Sequence, residues 1–225
     1  MRPSPTLFAL AVIVICASRP AQAQYNVPDA RISDPMAQFD AGIAYEYGRG
    51  VAPDDAKAVE WFEKSAAQGY APAETALGVA YANGRGVEPD DAKAAAWFAK
   101  AAAQGDAAAA FNLGLAYARG RGEPQDYAAA LDWFRKAADQ GDPDAASALG
   151  IAYARGHGVP EDDETAYQWY AIAQSGAEEG SDSYLRATRA LQILAERLTP
   201  EQISEAEAKA AAWHAQHQPA TPEKP

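Results

Sequence analysis

Four tryptophans stand 36 residues apart: Trp61, Trp97, Trp133 and Trp169. Four tyrosines keep the same spacing, Tyr45, Tyr81, Tyr117 and Tyr153. Three glycine columns run beside them: Gly42, Gly78, Gly114, Gly150; Gly48, Gly84, Gly120, Gly156; and Gly50, Gly86, Gly122, Gly158. A shorter column, Gln68-Gly69, Gln104-Gly105 and Gln140-Gly141, closes each unit. Agreement of this kind at one period is not compositional bias. It restricts the chain to an array in which each unit is one small motif that hides its apolar face only against its neighbours.

The unit reads as two helices. In the third, 109–119 is helical and small on one side, and Gly120-Arg121-Gly122 breaks it, since glycine tolerates the left-handed conformations of helix ends. Pro124 precedes a second helix over 127–139, with Asp126 as the N-cap and Gln140-Gly141 as the stop. The acid pairs Asp54-Asp55, Asp90-Asp91 and Asp162-Asp163 stand at the equivalent starts. A calcium site needs six to eight oxygens, whereas two acids per turn is the ordinary signature of a helix start. The Trp, Tyr and Ala columns read as the buried seam between units. Alanine is about a quarter of the chain and suits close helix contacts.

Residues 109–144 carry the repeat most fully: Ala-Ala-Phe-Asn-Leu-Gly-Leu-Ala-Tyr-Ala-Arg-Gly-Arg-Gly, then Asp-Tyr-Ala-Ala-Ala-Leu-Asp-Trp-Phe-Arg-Lys-Ala-Ala-Asp-Gln-Gly. This resembles the Sel1-like repeat, a relative of the tetratricopeptide repeat, in units at 37–72, 73–108, 109–144 and 145–177. The resemblance implies an all-α, right-handed α-solenoid of helical hairpins, four 36-residue repeats with a C-terminal helical cap. It also implies a non-enzymatic protein–protein interaction scaffold from a bacterium, with the first helix of each hairpin lining a concave surface. The fourth unit departs at its end, with Tyr170 where Phe62, Phe98 and Phe134 stand, and with Ile172-Ala-Gln-Ser-Gly176 as its terminus. A junction to a different element is expected there.

The flanks differ from the repeats. Residues 1–23 have a basic Arg2, an apolar run over 7–17 and a small-x-small ending at Ala21-Gln22-Ala23, which predicts a signal peptide cleaved after Ala23. The apolar run is too short to span a bilayer, and Cys16 lies inside it rather than at a lipidation boundary. A periplasmic or secreted location is therefore expected, with no integral membrane segment after cleavage. Cleavage removes the chain's one Cys and leaves 17 basic against 31 acidic residues, a net charge of −14. Residues 24–34 read as a flexible N-terminal segment, 35–180 as the repeats, and 218–225 as a disordered tail. Within 181–217 two capping helices are expected. Leu191, Leu194 and Leu198 share a stripe on the first, and Thr199-Pro200-Glu201-Gln202 starts the second, which carries Ile203, Ala206, Ala210 and Trp213.

Function should lie where the repeat does not dictate the residue. On the first helices, positions four and then three apart share a face. These are Asp40, Ala44 and Tyr47; Ala76, Ala80 and Asn83; Asn112, Ala116 and Arg119; and Ala148, Ala152 and Arg155. The predicted partner-binding groove is Asp40, Tyr47, Asn83, Asn112, Arg119 and Arg155, with alanines between them leaving room for a protein or peptide. The column Arg49, Arg85, Arg121, His157 reads as exposed loop residues. The acidic balance excludes nucleic acid as a partner. Catalytic motifs for serine, metal or phosphate chemistry are missing, and two of the three His, His214 and His217, find no third metal ligand. No cofactor and no catalytic residue are predicted. The alternative is a cell-wall glycan or β-lactam binder or hydrolase, which the resemblance raises through cysteine-rich relatives whose disulfides this chain lacks.

Overall fold

The structure, a computed structural model, describes residues 33–217. The predicted signal peptide, most of the predicted N-terminal segment and the predicted C-terminal tail lie outside the described residues. Those residues contain ten helices and no strand. They divide into two compact units, one up to Asp90 and one from Asp91 onward.

The first unit holds α1 (Pro35–Tyr47), α2 (Asp55–Ala66) and α3 (Ala71–Asn83). Helix α1 starts at a proline behind Asp34, whose carboxylate accepts the Ala37 N–H at 2.8 Å. Asp54 caps α2 in the same way through the Lys57 N–H at 3.0 Å. Each cap satisfies one of the orphan N–H groups of a first turn. Tyr70 opens α3 without a side-chain cap and packs edge-on against Phe39 at 5.6 Å. The second unit holds α4 (Asp91–Ala103), α5 (Ala107–Arg119), α6 (Tyr127–Ala138), α7 (Pro143–Arg155), α8 (Asp163–Gly176), α9 (Asp182–Ala195) and α10 (Pro200–His217). Here α5 packs on α6 and α7 on α8, and α9 and α10 both lie against α8. The expected start of α10 forms as a reciprocal capping box: Thr199 Oγ1 accepts the Gln202 N–H, and Gln202 Oε1 accepts the Thr199 N–H.

The tyrosine column has a backbone role. The N–H groups of Asp54, Asp90, Asp126 and Asp162 donate to the carbonyls of Tyr45, Tyr81, Tyr117 and Tyr153 at 2.9–3.0 Å. One bond per repeat thus fixes how the chain re-enters a helix after each glycine loop. Gly120 ends α5 at φ 64° and donates its N–H to Ala116, a left-handed turn that a side chain would strain.

The core differs from the seam expected of the tryptophans. Trp61 and Trp169 are buried, but Trp97 and Trp133 are half-buried. The lysine one turn on covers the ring in three repeats, Lys64 over Trp61 at 4.1 Å, Lys100 over Trp97 at 3.9 Å and Lys136 over Trp133 at 3.7 Å. The next residue, Phe62, Phe98 or Phe134, is buried in all three, as are Leu77, Leu113 and Leu149 of the first helices. Gly114 makes room for this ring: a Cβ there would sit 2.6 Å from Phe134. In the fourth repeat Ile172 replaces the lysine, and Trp169 packs instead against Trp213 at 6.1 Å.

The Arg49/Arg85/Arg121/His157 column is not simply a row of exposed loop residues. Arg85 pairs with Asp55 at 3.1 Å, and Arg121 grips both carboxylate oxygens of Asp91 at 3.1 and 2.9 Å. His157 stacks on Tyr127 with ring centres 4.8 Å apart. Arg197, between α9 and α10, pairs with Asp163 at 2.9 Å. In each case a loop reaches back to the first residue of an earlier helix. The second acid of each Asp-Asp pair therefore anchors the following loop, while the first caps a helix in the first and fourth repeats.

Candidate functional site

In the first unit the three predicted groove residues sit on α1 and α3. Tyr47 and Asn83 are the last residues of their helices and are exposed, whereas Asp40 is half-buried in the middle of α1. The alanines expected to leave room for a partner do not do so here. Ala44, Ala76 and Ala80 are at most 6% exposed and are committed to helix packing. Only the helix-end positions of the predicted face are open in this unit.

Beside Tyr47 the structure places a group that the sequence reading passed over. Glu46 faces inward from the last turn of α1, with its side chain 10% exposed. Arg85, from the loop after α3, donates through Nη1 to Glu46 Oε1 at 2.7 Å and through Nη2 to Asp55 Oδ1 at 3.1 Å. Glu46 Oε2 is buried and has no hydrogen-bond partner. The three side chains edge a small pocket with Ala58, Val59 and Phe62 of α2 and Ala76, Val79 and Ala80 of α3. Burial pushes the Glu46 carboxyl above its ordinary pKa of 4.5, against the pull of Arg85. Burial and the Glu46 charge also push the Tyr47 phenol up. The triad holds two carboxylates and one guanidinium, so its fully ionised form carries one net negative charge.

A within-chain comparison could have found Glu46. Its repeat equivalents are Ala82, Ala118 and Ala154. A carboxylate at a position the repeat otherwise fills with alanine is the signal, and column-by-column attention to the invariant residues conceals it.

In the second unit Asn112 and Arg119 lie on α5 and Arg155 on α7. Asn112 donates its side-chain amide to the Ala108 carbonyl one turn back at 2.9 Å. Arg119 is half-buried, and both burial and the Arg121 charge lower its pKa. Arg155 is exposed at the end of α7 and lies close enough to Tyr170 to favour its phenolate, although burial dominates and pushes that phenol up to about 12. Ala152 is buried, and Ala116 and Ala148 are half-buried.

At the far end of the chain, His214 and His217 are engaged in packing. His217 stacks on Trp213 at 4.2 Å and lies 3.6 Å from Asp139, and His214 Nε2 hydrogen-bonds Ser175 Oγ. Among the described residues no group of three or more His, Cys, Asp or Glu side chains is placed to hold a metal. Nor, among them, is any helix long and apolar enough to cross a membrane.

The Sel1 repeat matches at residues 35–70, 71–106, 107–142 and 143–173, which is more than half of the chain. The chain belongs to the Sel1 repeat family. Its fold class, an all-α solenoid of helical hairpins, follows from that membership. Among solved structures it is similar to a Sel1 repeat protein from Oxalobacter formigenes, at 29% identity and a TM-score of 0.64, over 83% of this chain and 75% of that one. It is also similar to a protective antigen of uropathogenic Escherichia coli strains, at 30% identity and a TM-score of 0.55. That match covers 82% of this chain and 46% of the antigen, so the chain spans about half of that protein. A Klebsiella pneumoniae Sel1 repeat protein, with a TM-score of 0.52 over 79% of this chain and 94% of that one, is 21% identical and shows the fold alone. Comparison with curated proteins gives no match. The Sel1 fold is commonly a protein-interaction scaffold, and its members are generally non-enzymatic.

Proposed function

We propose that this Sel1 repeat protein is an exported, non-enzymatic adaptor of the bacterial cell envelope that binds a protein or peptide partner through the ends of its first helices. The observation that carries this reading is a division of labour within the repeat. Trp, Tyr, Phe, Leu, Gly and the acid pairs go into packing, caps and loop anchors. Tyr47, Asn83, Arg119 and Arg155 occupy equivalent helix ends; the first two repeats differ from the last two, which share Arg, and all but the half-buried Arg119 are exposed. Variation at a solvent-facing position of an otherwise uniform repeat is what a recognition surface requires. The predicted signal peptide supports export to the periplasm or beyond.

The test is affinity capture from native envelope extract on the form beginning at residue 24. A variant with Asn83, Asn112, Arg119 and Arg155 changed to Ala runs beside it, once circular dichroism shows that it is folded. The expected result is a partner retained by the native form and lost by the variant. With a net charge of −14 for that form, retention through ionic contacts should weaken between low and high salt. Equal retention by both proteins would refute the helix-end surface.

A further inference from the structure

We propose that α9 is a docking surface for an acidic amphipathic helix of a protein partner, which lies along its exposed face with a carboxylate on Arg189. This surface is separate from the helix ends proposed above and adds a second contact to a protein-binding module. The repeats show how a first helix is normally covered. Counted from the N-cap, the eighth residue is Gly42 in α1, Gly114 in α5 and Gly150 in α7. Each lies against an aromatic ring of the second helix of its own hairpin: Phe62, Phe134 or Tyr170. The fifth residue meets the same ring in two of them, Phe39 on Phe62 at 5.6 Å and Phe111 on Phe134 at 5.8 Å. The face carrying these two positions is therefore the one a hairpin partner covers.

Helix α9 begins in the same manner behind the N-cap Ser181. It lies against α8 and buries Ala187, Leu191 and Leu194. The helix that follows, α10, packs on α8 instead of completing a hairpin with α9. The pairing face of α9 is left open. Its fifth and eighth residues are Arg186 and Arg189, both exposed, and beside them Leu185 is 43% and Ile193 is 62% exposed. Residues at these spacings share one side of a helix.

Two cations in place of an aromatic ring and a glycine select the occupant. Arg186 is already matched by Asp144 of α7 at 2.5 Å. Arg189 pairs with no acid among the described residues. The acids at the two ends of its helix, Asp182 and Glu196, are seven residues away on either side, about 10 Å along the axis and beyond the screening length at physiological salt. A carboxylate between two apolar side chains complements Leu185, Arg189 and Ile193, and an amphipathic helix presents that pattern to a helical groove. A second copy of the chain does not: an antiparallel pair of α9 helices that sets Leu185 against Ile193 also sets Arg189 against Arg189.

The experiment is an NMR titration of the isotopically labelled chain with an alanine-rich helical peptide carrying Leu-x-x-x-Glu-x-x-Leu, and with its twin in which Lys replaces Glu. The Glu peptide should give saturable shifts at the Leu185, Arg189 and Ile193 amides. The Lys peptide should bind about fivefold more weakly or less, the scale of one surface ion pair. Arg189→Glu, a change at an exposed position, should invert the order of the two peptides. The comparison in the unmutated chain does not depend on that variant folding. No saturable shift with the Glu peptide, equal affinity for both peptides, or an order that survives in the variant would overturn the site. Shifts at the same amides on concentrating the chain alone would overturn the partner helix in favour of a second copy. Because the peptides need no natural partner, failure here leaves the adaptor reading intact, and failure of capture leaves this surface intact.

Discussion

Two glycines of the second unit separate backbone strain from close approach. Gly105 and Gly122 both have left-handed backbones, at φ 89° and 76°. An alanine in that conformation costs about 1–2 kcal/mol at either position. The surroundings differ. A Cβ on Gly105 meets nothing within 4 Å, whereas one on Gly122 lies 2.1 Å from the Asp91 carbonyl oxygen and 2.5 Å from its carbon. Those atoms are backbone at the start of α4 and cannot rotate away. The loop must move, which adds about 1–3 kcal/mol of overpacking and strains the Arg121–Asp91 grip. Gly105→Ala should therefore lose about 1–2 kcal/mol and Gly122→Ala about 2–5 kcal/mol. Urea unfolding followed by circular dichroism reads both, with the midpoint falling and the slope unchanged. Equal losses, or a larger loss at Gly105, would refute the claim that position 122 is glycine so that its loop can touch the start of α4.

Phe134 and its neighbour Trp133 test where the core lies. Phe134→Ala, which empties a site 5% exposed, should cost about 3–5 kcal/mol in urea unfolding. Trp133→Ala, which removes a half-buried ring under Lys136, should cost about 1–2 kcal/mol, part of it the cation–π contact; the reverse order would restore the tryptophan seam. Asp142 caps α7, and burial raises its carboxyl from 3.8 to about 6. A raised folded-state value means that the native state holds its proton more tightly, so this contribution is full below about pH 4 and is lost as pH rises through about 6. The shift corresponds to about 3 kcal/mol. Asp142→Asn keeps a capping oxygen and should flatten stability between pH 4 and 7 while raising it at pH 8, as urea midpoints at the two ends of that range would record.

The fold was legible because the repeat states each fact several times. Helix starts at Asp54, Asp126 and Asp162, glycine stops and the Thr199–Gln202 box all rest on local chemistry that a sequence carries. Burial was less legible. Trp and Phe are adjacent in every repeat through the third, and adjacent residues on a helix point about 100° apart, so in the second and third repeats Phe faces the core while Trp lies at its edge. Size suggested the tryptophan; the close approach of Gly114 to Phe134 decides otherwise. The Arg column was legible as loop positions but not for its ion pairs. Arg121 meets an acid 30 positions earlier, and no local rule reports a contact at that range. The predicted groove was legible only as a face. Whether an alanine on that face is open or packed depends on the neighbouring helix, which closes over Ala44, Ala76, Ala80 and Ala152.

Long-range contacts do leave a trace inside a repeat, because the same contact is made with different residues. Arg85 meets Asp55 and Arg121 meets Asp91, and Arg197 meets Asp163 beyond the last repeat. In the third repeat the acid gives way to Tyr127, and the loop residue facing it becomes His157, with an aromatic stack in place of the ion pair. Both partners change together, so the contact serves assembly, and its exact chemistry is exchangeable. Glu46 shows the opposite pattern. It replaces the alanine of Ala82, Ala118 and Ala154, yet the Arg85–Asp55 contact it joins exists without a third member at Arg121–Asp91. Packing therefore does not require it, and a buried carboxylate with one unmatched oxygen disfavours the fold unless a donor is supplied. A residue that assembly does not need and that burial penalises marks where the first repeat departs from the other three.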